Sequence, residues 1–408
     1  MNRSKRLLVN KIELLYASVI LAFVPAPYLH RILPSIATVE SLVKLAALVY
    51  VLINLVTSKG RILKSKILLL IVMFWGYLLF PTILLSGDLP EYLRITWTAL
   101  TLPLFMGCAV YKKQIHMINA CCVVFGAYII INTIATVLFP EGLYETVAMS
   151  GISRAEASYF LGHKNNVLSY MMPGILCLCY KNYYKNNKLN FLTWLYIIGV
   201  CGCCVIGESI SSMIAIAIVI ISVLIAQNER FSKYINVKTA LLINFLFFVL
   251  VVVLRVQDIF SYFLVSLTGK GLDMNGRTFI WDKGLFAILQ HPIMGYGIES
   301  ISNILAKYLL NNESFHNVVV DLLYQGGIIG TFLFVMLLVV TNRTIDRCEN
   351  VKIKNLCNAV FFASSINWMT QPVTKQRMLL IYIPILLSVY ICESTVENSE
   401  IIEKEDKA

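Results

Sequence analysis

Residues 67–85 read ILLLIVMFWGYLLFPTILL, nineteen positions without a charged side chain. A helix needs about 20 apolar residues to cross the hydrocarbon core of a bilayer. Comparable runs recur along the 408 residues; 58% of the chain is hydrophobic, 14% is charged, and the mean hydropathy is +0.75. Because soluble domains carry about 25% charged residues, this composition excludes an ordinary soluble enzyme, a disordered protein and a secreted disulfide scaffold. The sequence predicts an all-α, polytopic integral membrane protein.

The apolar runs predict about twelve transmembrane helices in a single membrane domain over residues 1–408. We expect these helices at Ile12–Leu29, Ile36–Val56, Ile67–Leu85, Leu93–Val110, Ile115–Phe139, Val167–Tyr180, Leu189–Ile206, Ile210–Ala226, Val237–Leu254, Val318–Val340, Leu356–Met369 and Met378–Ile391. No cleavable signal peptide is expected, since the short basic N-terminus runs directly into the first apolar stretch.

Lysine and arginine residues set the expected orientation, because loops that stay in the cytoplasm are enriched in both. With the N-terminus inside, every inner segment is basic, and we expect both termini in the cytoplasm. The acidic tail, residues 393–408, is expected to be disordered. Two long outer loops remain, residues 140–166 and 255–316, and outward-facing chemistry is expected there.

Neither the net charge nor the cysteine content changes the prediction of an integral membrane protein. The formal charge of +11 follows from the inner loops, so we expect no nucleic-acid partner. The 11 cysteines lie mostly inside apolar runs, where thiols behave as small hydrophobic groups. Cys201, Cys203 and Cys204 lack further ligands at metal-binding spacing, and neither a phosphate-binding Gly-x-x-x-x-Gly-Lys loop nor a His-Glu-x-x-His motif occurs. We expect no metal and no cofactor.

A short amphipathic helix is predicted in the larger outer loop, and it ends where His291 precedes Pro292. The indole of Trp281 suits the membrane interface, and Trp281 is also a candidate substrate-binding residue. Gly295 and Gly297 follow, and we interpret them as a flexible turn because no βαβ pattern surrounds them. The residues expected on the apolar face of the helix are Ile280, Trp281, Leu285, Ile288 and Leu289.

A polar stripe follows His316 down the next predicted span. Asn317 and Asp321 share one helical face with Tyr324 and Gln325. Such a stripe faces a wet cavity or other helices rather than lipid, so Asn317 and Asp321 are candidate substrate-binding residues. The glycines after the stripe are interpreted as sites of close helix packing; they are Gly326, Gly327 and Gly330.

Polar residues also mark the other outer loops. Arg154 lies in loop 140–166, which closes just before a span with the sequence Gly162, His163, Lys164, Asn165, Asn166. These side chains either bind substrate or anchor the loop at the interface. Arg377 stands in the last outer loop against the charge bias. It is either a substrate-phosphate ligand or a simple exception to that bias.

Together these motifs resemble the O-antigen ligase and polymerase family. The matching features, in order, are Arg277-x-x-x-Trp281, Pro292-x-x-Gly295-x-Gly297, and His316-Asn317 opening a span that contains Gly327-x-x-Gly330. Gly162 to Asn166 is similar to the family's upstream Gly-x-x-x-Asn segment. Family members often carry Ser-Arg where this chain has Ser209-Ile210-Ser211-Ser212. A phosphate-binding cation would then come from elsewhere, with Arg154 and Arg255 as candidates.

The resemblance implies a glycosyltransferase-type enzyme of the bacterial cytoplasmic membrane. Its substrates would be oligosaccharides linked to undecaprenyl pyrophosphate at the outer leaflet. The polymerase branch joins repeat units into capsule or O-antigen chains, and the ligase branch moves a finished chain to the lipid A core. Of these two branches we expect the polymerase. Membrane lipids are among its expected partners. Chain-length regulators and flippases are its candidate protein partners.

The chemistry of such a transfer assigns roles to particular side chains. The attacking sugar hydroxyl needs a proton acceptor, and the imidazole of His316 is suited to neutral pH because its ordinary pKa is about 6.5. The leaving pyrophosphate needs fixed cations, and a guanidinium can donate two parallel hydrogen bonds to it. Arg277 is the first candidate for this cation, and Arg154 is the second.

Alternatives remain for these residues and for the protein class. Glu208 is an alternative base, and His316 alternatively caps a helix. Arg277 alternatively pairs with Asp273 or Asp282. A transporter or flippase of the same lipid-linked sugars is the alternative class. The long outer loop and the lack of duplicated halves argue against a transporter.

Overall fold

The structure is a computed structural model that describes residues 10–85, 87–148, 154–259, 277–310, 314–371 and 377–405. In chain order its helices are α1 (Lys11–Phe23), α2 (Pro27–Ile32), α3 (Ile36–Thr57), α4 (Lys66–Leu84), α5 (Leu89–Leu138), α6 (Val167–Asn186), α7 (Phe191–Ile206), α8 (Ile210–Leu224), α9 (Phe231–Tyr234), α10 (Val237–Phe247), α11 (Val256–Ile259), α12 (Arg277–Gln290), α13 (Ile301–Tyr308), α14 (Val318–Asp346), α15 (Val351–Trp368) and α16 (Leu379–Glu405). A 3-10 turn covers Arg61–Lys64, and α10 continues as a π-helix over Phe248–Val253.

Several of these helices can cross a membrane by length and composition. The long ones are Ile36–Thr57, Lys66–Leu84, Leu89–Leu138, Phe231–Val253 and Val318–Asp346. Shorter apolar helices cover Phe191–Ile206, Ile210–Leu224 and Leu379–Ser394. The chain is therefore a helical, multi-pass membrane protein, as predicted, whereas the total of about twelve crossings remains a prediction.

Two breaks in the helices follow from local chemistry. The 50 residues of α5 are interrupted at Lys113, whose backbone has φ −160° and ψ 96°, so two predicted spans lie in what is nominally one helix. The first predicted span is instead cut short at Phe23. Pro25 and Pro27 follow closely, and proline lacks the N–H that would continue the helix.

The outer loop at residues 140–166 departs from the all-α prediction. Strands β1 (Tyr144–Ala148), β2 (Arg154–Tyr159) and β3 (Gly162–His163) form an antiparallel sheet in the order β1-β2-β3. The Tyr159 hydroxyl donates to the carbonyl oxygen of Pro140 at 2.8 Å and closes the loop. Backbone groups that would otherwise be unpaired outside a helix are satisfied in this way.

The helices pack as one bundle with an outer extension. Helix α15 packs on α6, α8 and α10, and α5 packs on α1, α6 and α7. Helix α14 lies between α4 and α12. A large apolar cluster fills the bundle, and a second cluster around Trp281, Tyr296 and Tyr324 joins the larger outer loop to α14.

Helix α14 is broken at Gly327, where φ is 57° and ψ is −158°. Part of the larger outer loop, residues 292–298, fills the break, and we call it the docked segment. The Tyr296 N–H donates to a carbonyl oxygen of α14 at 2.8 Å, and the Ile328 N–H donates back to the docked segment at 2.9 Å. Loop and helix thus satisfy each other's backbone groups, as they must at membrane depth.

The glycines at this junction are required by close approach of two backbones. A Cβ on Gly327 would lie 2.3 Å from the carbonyl oxygen of Ile293, and one on Gly297 would lie 2.4 Å from the backbone nitrogen of Thr82. Both glycines also have positive φ. The prediction of a flexible turn at Gly295 and Gly297 is therefore wrong, and Gly327 marks a helix break rather than simple helix packing.

Helix α12 runs beside the outer half of α14. A Cβ on Gly284 would lie 2.6 Å from the Val320 side chain, and the Trp281 ring meets the Phe247 ring edge-on at 6.2 Å. Trp281 is 0% exposed. The helix face predicted to lie at the membrane interface is thus mostly packed inside the protein. At the other end of the chain, α16 continues to Glu405, so the tail expected to be disordered at 393–408 is helical up to that residue.

Candidate active site

Three outer parts of the chain meet in one group of charged and titratable side chains. We define Glu156, His163, Arg277, His316 and Arg377 as the outer cluster. The other four members all act electrostatically on the imidazole of His316. Loop 140–166 contributes the small sheet, loop 255–316 contributes the start of α12 and the turn before α14, and the last outer loop contributes Arg377, two residues before α16. These segments therefore lie on the same side of the bundle.

The small sheet orients Glu156 and His163 toward each other. Ser158 pairs with His163 across β2 and β3, and Glu156 shares the face of Ser158 because alternate strand residues point the same way. His163 Nε2 contacts the Glu156 carboxylate, and the Asn165 N–H donates to His163 Nδ1 at 3.3 Å. An Nδ1 that accepts a hydrogen bond carries no proton, so Nε2–H is the donor to Glu156.

His316 has an unusual backbone conformation at the mouth of α14. Its φ of 55° lies in the left-handed region, where residues other than glycine are uncommon and which recurs at functional sites. Its N–H donates to the Ser314 hydroxyl oxygen at 3.0 Å. Its Nδ1 is buried and has no hydrogen-bond partner among the described residues. A buried polar atom of this kind fits a site that a ligand completes.

The surroundings of His316 keep its imidazole neutral. Burial, followed by the positive charges of Arg277 and Arg377, lowers the pKa of His316 from its ordinary value to about 3. Desolvation and nearby cations both disfavour the protonated ring. At neutral pH the ring can therefore accept a proton, but its affinity for that proton is weak beside the positive charges of Arg277 and Arg377.

Arg277 is the first residue of α12 and is the main candidate in the outer cluster for binding an anion. Burial lowers the pKa of Arg277, and the negative charge of Glu156 opposes the shift. Within the described ranges Arg277 makes no ion pair, and Asp282, one of its alternative partners, binds Arg255 at 2.5 Å instead. The other alternative, Asp273, lies outside the described residues. A half-buried guanidinium in this state is suited to an anionic ligand.

Asn317 and Asp321, predicted to bind substrate, hold the turn that carries His316. Asp321 is 1% exposed, accepts the Ser314 hydroxyl at 2.5 Å and accepts the Phe315 N–H at 2.7 Å. Asn317 caps α14 and donates through Nδ2 to the carbonyl oxygen of Met369 at 3.0 Å. Both side chains therefore hold the turn that carries His316, and substrate binding by either of them remains a prediction.

Arg255 and Trp281 fix the start of α12. The Arg255 guanidinium donates to the carbonyl oxygen of Thr278 at 2.8 Å and binds the Asp282 carboxylate. It also lies 5.8 Å from the centre of the Trp281 ring, which is completely buried. Direct substrate contact by Arg255 or Trp281 remains a prediction. Both residues hold the start of α12, where Arg277 lies.

The remaining predicted residues lie around the outer cluster. Lys164 is half-buried where β3 meets α6, and Asn166 donates its backbone N–H to the His163 carbonyl oxygen at 2.8 Å. Arg154 begins β2, and its side chain lies outside the described residues. Glu208, the alternative base, is exposed on the turn before α8 with a φ of 50°.

Glu156 and Ser314 were not predicted as site residues. A signal for Glu156 was available, because Arg154, Glu156 and Ser158 alternate with two alanines, the period of a strand with one polar face. No sequence pattern pointed to Ser314, whose role depends on a carboxylate seven residues later in the chain. Across the described part of the chain, no group of three or more His, Cys, Asp and Glu side chains could hold a metal ion.

Comparison with known proteins bears on the same region. A family model described as O-antigen ligase matches residues 195–335, which include α12, the docked segment and His316. No curated protein matches the chain. The family match confirms the O-antigen ligase/polymerase assignment that the sequence motifs indicated.

Proposed function

Because residues 195–335 form a domain of the O-antigen ligase family, whose members act on lipid-linked polysaccharides, we propose that this protein polymerises oligosaccharide repeat units. The donor is a growing chain on undecaprenyl pyrophosphate, and the acceptor is a second lipid-linked repeat unit. The product is a capsular or O-antigen polysaccharide, made at the outer leaflet of a bacterial cytoplasmic membrane. Both termini are then cytoplasmic and the outer cluster faces outward.

The reaction needs one bond to form and one to break. The acceptor hydroxyl oxygen attacks the anomeric carbon of the donor, and the bond from that carbon to the pyrophosphate oxygen breaks. The electron pair leaves with undecaprenyl pyrophosphate. Arg277 and Arg377 stabilise the developing negative charge, since fixed guanidinium groups in a site of low dielectric need no reorganisation during the reaction.

His316 takes the proton of the attacking hydroxyl. The two arginine charges that lower its pKa are the charges that a bound pyrophosphate compensates. Binding of the donor therefore raises the proton affinity of His316 when the base is needed. The Glu156–His163 pair belongs to the same cluster and binds the acceptor sugar in this proposal, with Lys164 and Arg154 as further candidates.

In this proposal the isoprenoid tail of the donor binds directly below the outer cluster. An apolar cavity of about 120 Å³ lies between α10, α14 and α15 and begins at Val318 and Val319, next to His316. Phe334 lines its deeper part, and Trp368, at the outer end of α15, lines it near the level of Asn317. Isoprene units extending from a pyrophosphate held by Arg277 would enter this cavity.

The observation that carries the proposal is the buried Nδ1 of His316, unpartnered among the described residues, on a ring whose pKa is lowered by burial and by two arginines from separate outer segments. The test uses purified protein in liposomes with a lipid-linked repeat unit. Lengthening of the sugar chain supports a polymerase. Transfer only to an added lipid A core identifies a ligase, and movement between leaflets without a new glycosidic bond identifies a transporter; either result contradicts the proposal.

A further inference from the structure

Helix α12 and the docked segment lie deeper than an outer loop should. The Ile328 N–H donates to the carbonyl oxygen of Pro292, and the Ile329 N–H donates to the carbonyl oxygen of Ile293. Ile328 is ten residues below the start of α14 at Val318, a depth of about 15 Å at 1.5 Å per residue. The end of α12 is therefore level with the interior of a predicted span.

A second span gives the same depth independently. The Tyr77 hydroxyl of α4 donates to the carbonyl oxygen of Met294 at 3.2 Å, and Tyr77 is seven residues, about 10 Å, below the outer end of α4. The chain then returns toward the outer surface, because the Asp88 N–H at the outer start of α5 donates to the carbonyl oxygen of Ile298. Residues 277–298 thus enter beside α14 and leave beside α4.

The helix that makes this descent has an uncovered apolar stripe. Phe279, Phe286 and Leu289 are spaced by seven and three residues, which places them on one side of α12, and Ile293 follows in the docked segment. All four are exposed, Leu289 at 78% and Ile293 at 61%. The buried side of α12 is occupied by protein, so this stripe is additional to the face that packs on the bundle.

The charged residues of α12 are confined to its outer half. Arg277, Asp282 and Lys283 all lie in its first half, and Asp282 is paired with Arg255 just beyond the predicted end of the α10 span. Residues 284–290 carry no charge. At the deep end the stripe continues into the exposed side chains of Ile328, Ile329 and Phe332, which belong to a membrane-spanning helix.

We propose that α12 and the docked segment form a re-entrant hairpin whose apolar stripe contacts the acyl chains of the outer leaflet. Non-helical backbone is tolerated at this depth because the broken α14 satisfies it. The arrangement keeps Arg277 at the outer end of the hairpin, at the level of the lipid headgroups. The inference rests on the multi-pass architecture and does not depend on the sugar-transfer reaction.

The test compares Leu289→Cys with Ser302→Cys, an exposed site on α13 beyond the rising segment. Open membrane fragments make both faces reachable, and the wild-type protein gives the background from native thiols. A water-soluble maleimide should modify Leu289→Cys at least about tenfold more slowly than Ser302→Cys, because apolar surroundings raise the thiol pKa and suppress the reactive thiolate. Equal labelling rates would overturn the proposal.

A second measurement distinguishes whether lipid or protein covers the apolar stripe. With a nitroxide on each cysteine, position 289 should be accessible to oxygen, which concentrates in the bilayer, and protected from a water-soluble nickel chelate. Position 302 should show the reverse. Protection of position 289 from both reagents would mean that a protein surface covers the stripe, and access to the nickel chelate would mean water; either result contradicts the hairpin. Loss of polymerase activity would not affect these readouts.

Discussion

The carboxylate of Asp321 accepts a hydrogen bond from the Ser314 hydroxyl at 2.5 Å, inside the turn that presents His316. The same carboxylate accepts the Phe315 N–H at 2.7 Å, and the Ser314 oxygen in turn accepts the His316 N–H at 3.0 Å. His316 is thus held from below by a buried acid that lies one turn into α14. The geometry of the turn that carries His316 therefore depends on the Asp321 carboxylate.

Replacement of Asp321 tests that dependence. Asp321→Asn keeps the shape but weakens both hydrogen bonds, and we expect kcat to fall by about 10- to 100-fold, since a buried group left unsatisfied costs about 1–3 kcal/mol. KM for the donor should change little because Arg277 and Arg377 are untouched. A variant with normal kcat and a raised KM would instead place Asp321 in substrate binding.

Arg277 is predicted to bind the pyrophosphate through its planar fork. Arg277→Lys keeps the charge but loses the paired donors, and we expect kcat/KM to fall by about 10- to 100-fold because hydrogen bonds to charged groups contribute about 1.5–3 kcal/mol. Lys283→Ala on the same helix is the matched control and should leave activity unchanged. Full activity of Arg277→Ala at normal protein level would remove this arginine from the site.

The low pKa of His316 gives a prediction about pH. Arg377→Gln removes one of the cations that lower this pKa, so the pKa rises in the free enzyme. The protonated, inactive ring then forms at higher pH, and the acid limb of the kcat/KM profile should move upward relative to the wild type. Lys283→Gln, measured with the same substrate, should not move it. A downward shift in Arg377→Gln would contradict the electrostatic account of the cluster.

The docked segment should depend strictly on Gly327. Gly327→Ala places a methyl group 2.3 Å from a carbonyl oxygen at a positive φ, and we expect a loss of at least about 2 kcal/mol of stability. Gly76→Ala is the control, since a Cβ there meets no atom within 4 Å and alanine favours helix. Melting temperatures in detergent measure both variants. Equal melting temperatures would mean that the break in α14 does not need glycine.

The sequence was informative where a local pattern decides the structure. Helix α3, observed at Ile36–Thr57, was predicted at Ile36–Val56, because the length of an apolar run fixes the helix bounds. The chemistry of His316 and Arg277 was predicted from the residue types that sugar transfer needs. The structure places both in one cluster, and their roles remain proposals.

What could not be predicted depends on partners that are distant in the sequence. Gly297 looked like a turn because its neighbour Thr82 lies on another helix. The hydrogen bonds of Asp321 to Ser314 and Phe315 could not be predicted, because a polar stripe does not reveal that the turn above it folds back onto the carboxylate. The ion pair of Arg255 with Asp282 could not be predicted either, because it joins two separate elements. In each case the missing information was a tertiary contact rather than a local preference.

The most direct test of the account is the rate of sugar-chain elongation by purified His316→Ala and His316→Gln proteins. Loss of a general base typically slows a reaction by about 10²–10⁴-fold, and we predict a loss of this size in both variants, with the lipid-linked repeat unit still bound. Glutamine retains hydrogen bonding but cannot take the proton, so it should not rescue the reaction. Elongation by His316→Gln at the wild-type rate would contradict the assignment of His316 as the base, and Glu208 would then be the residue to replace.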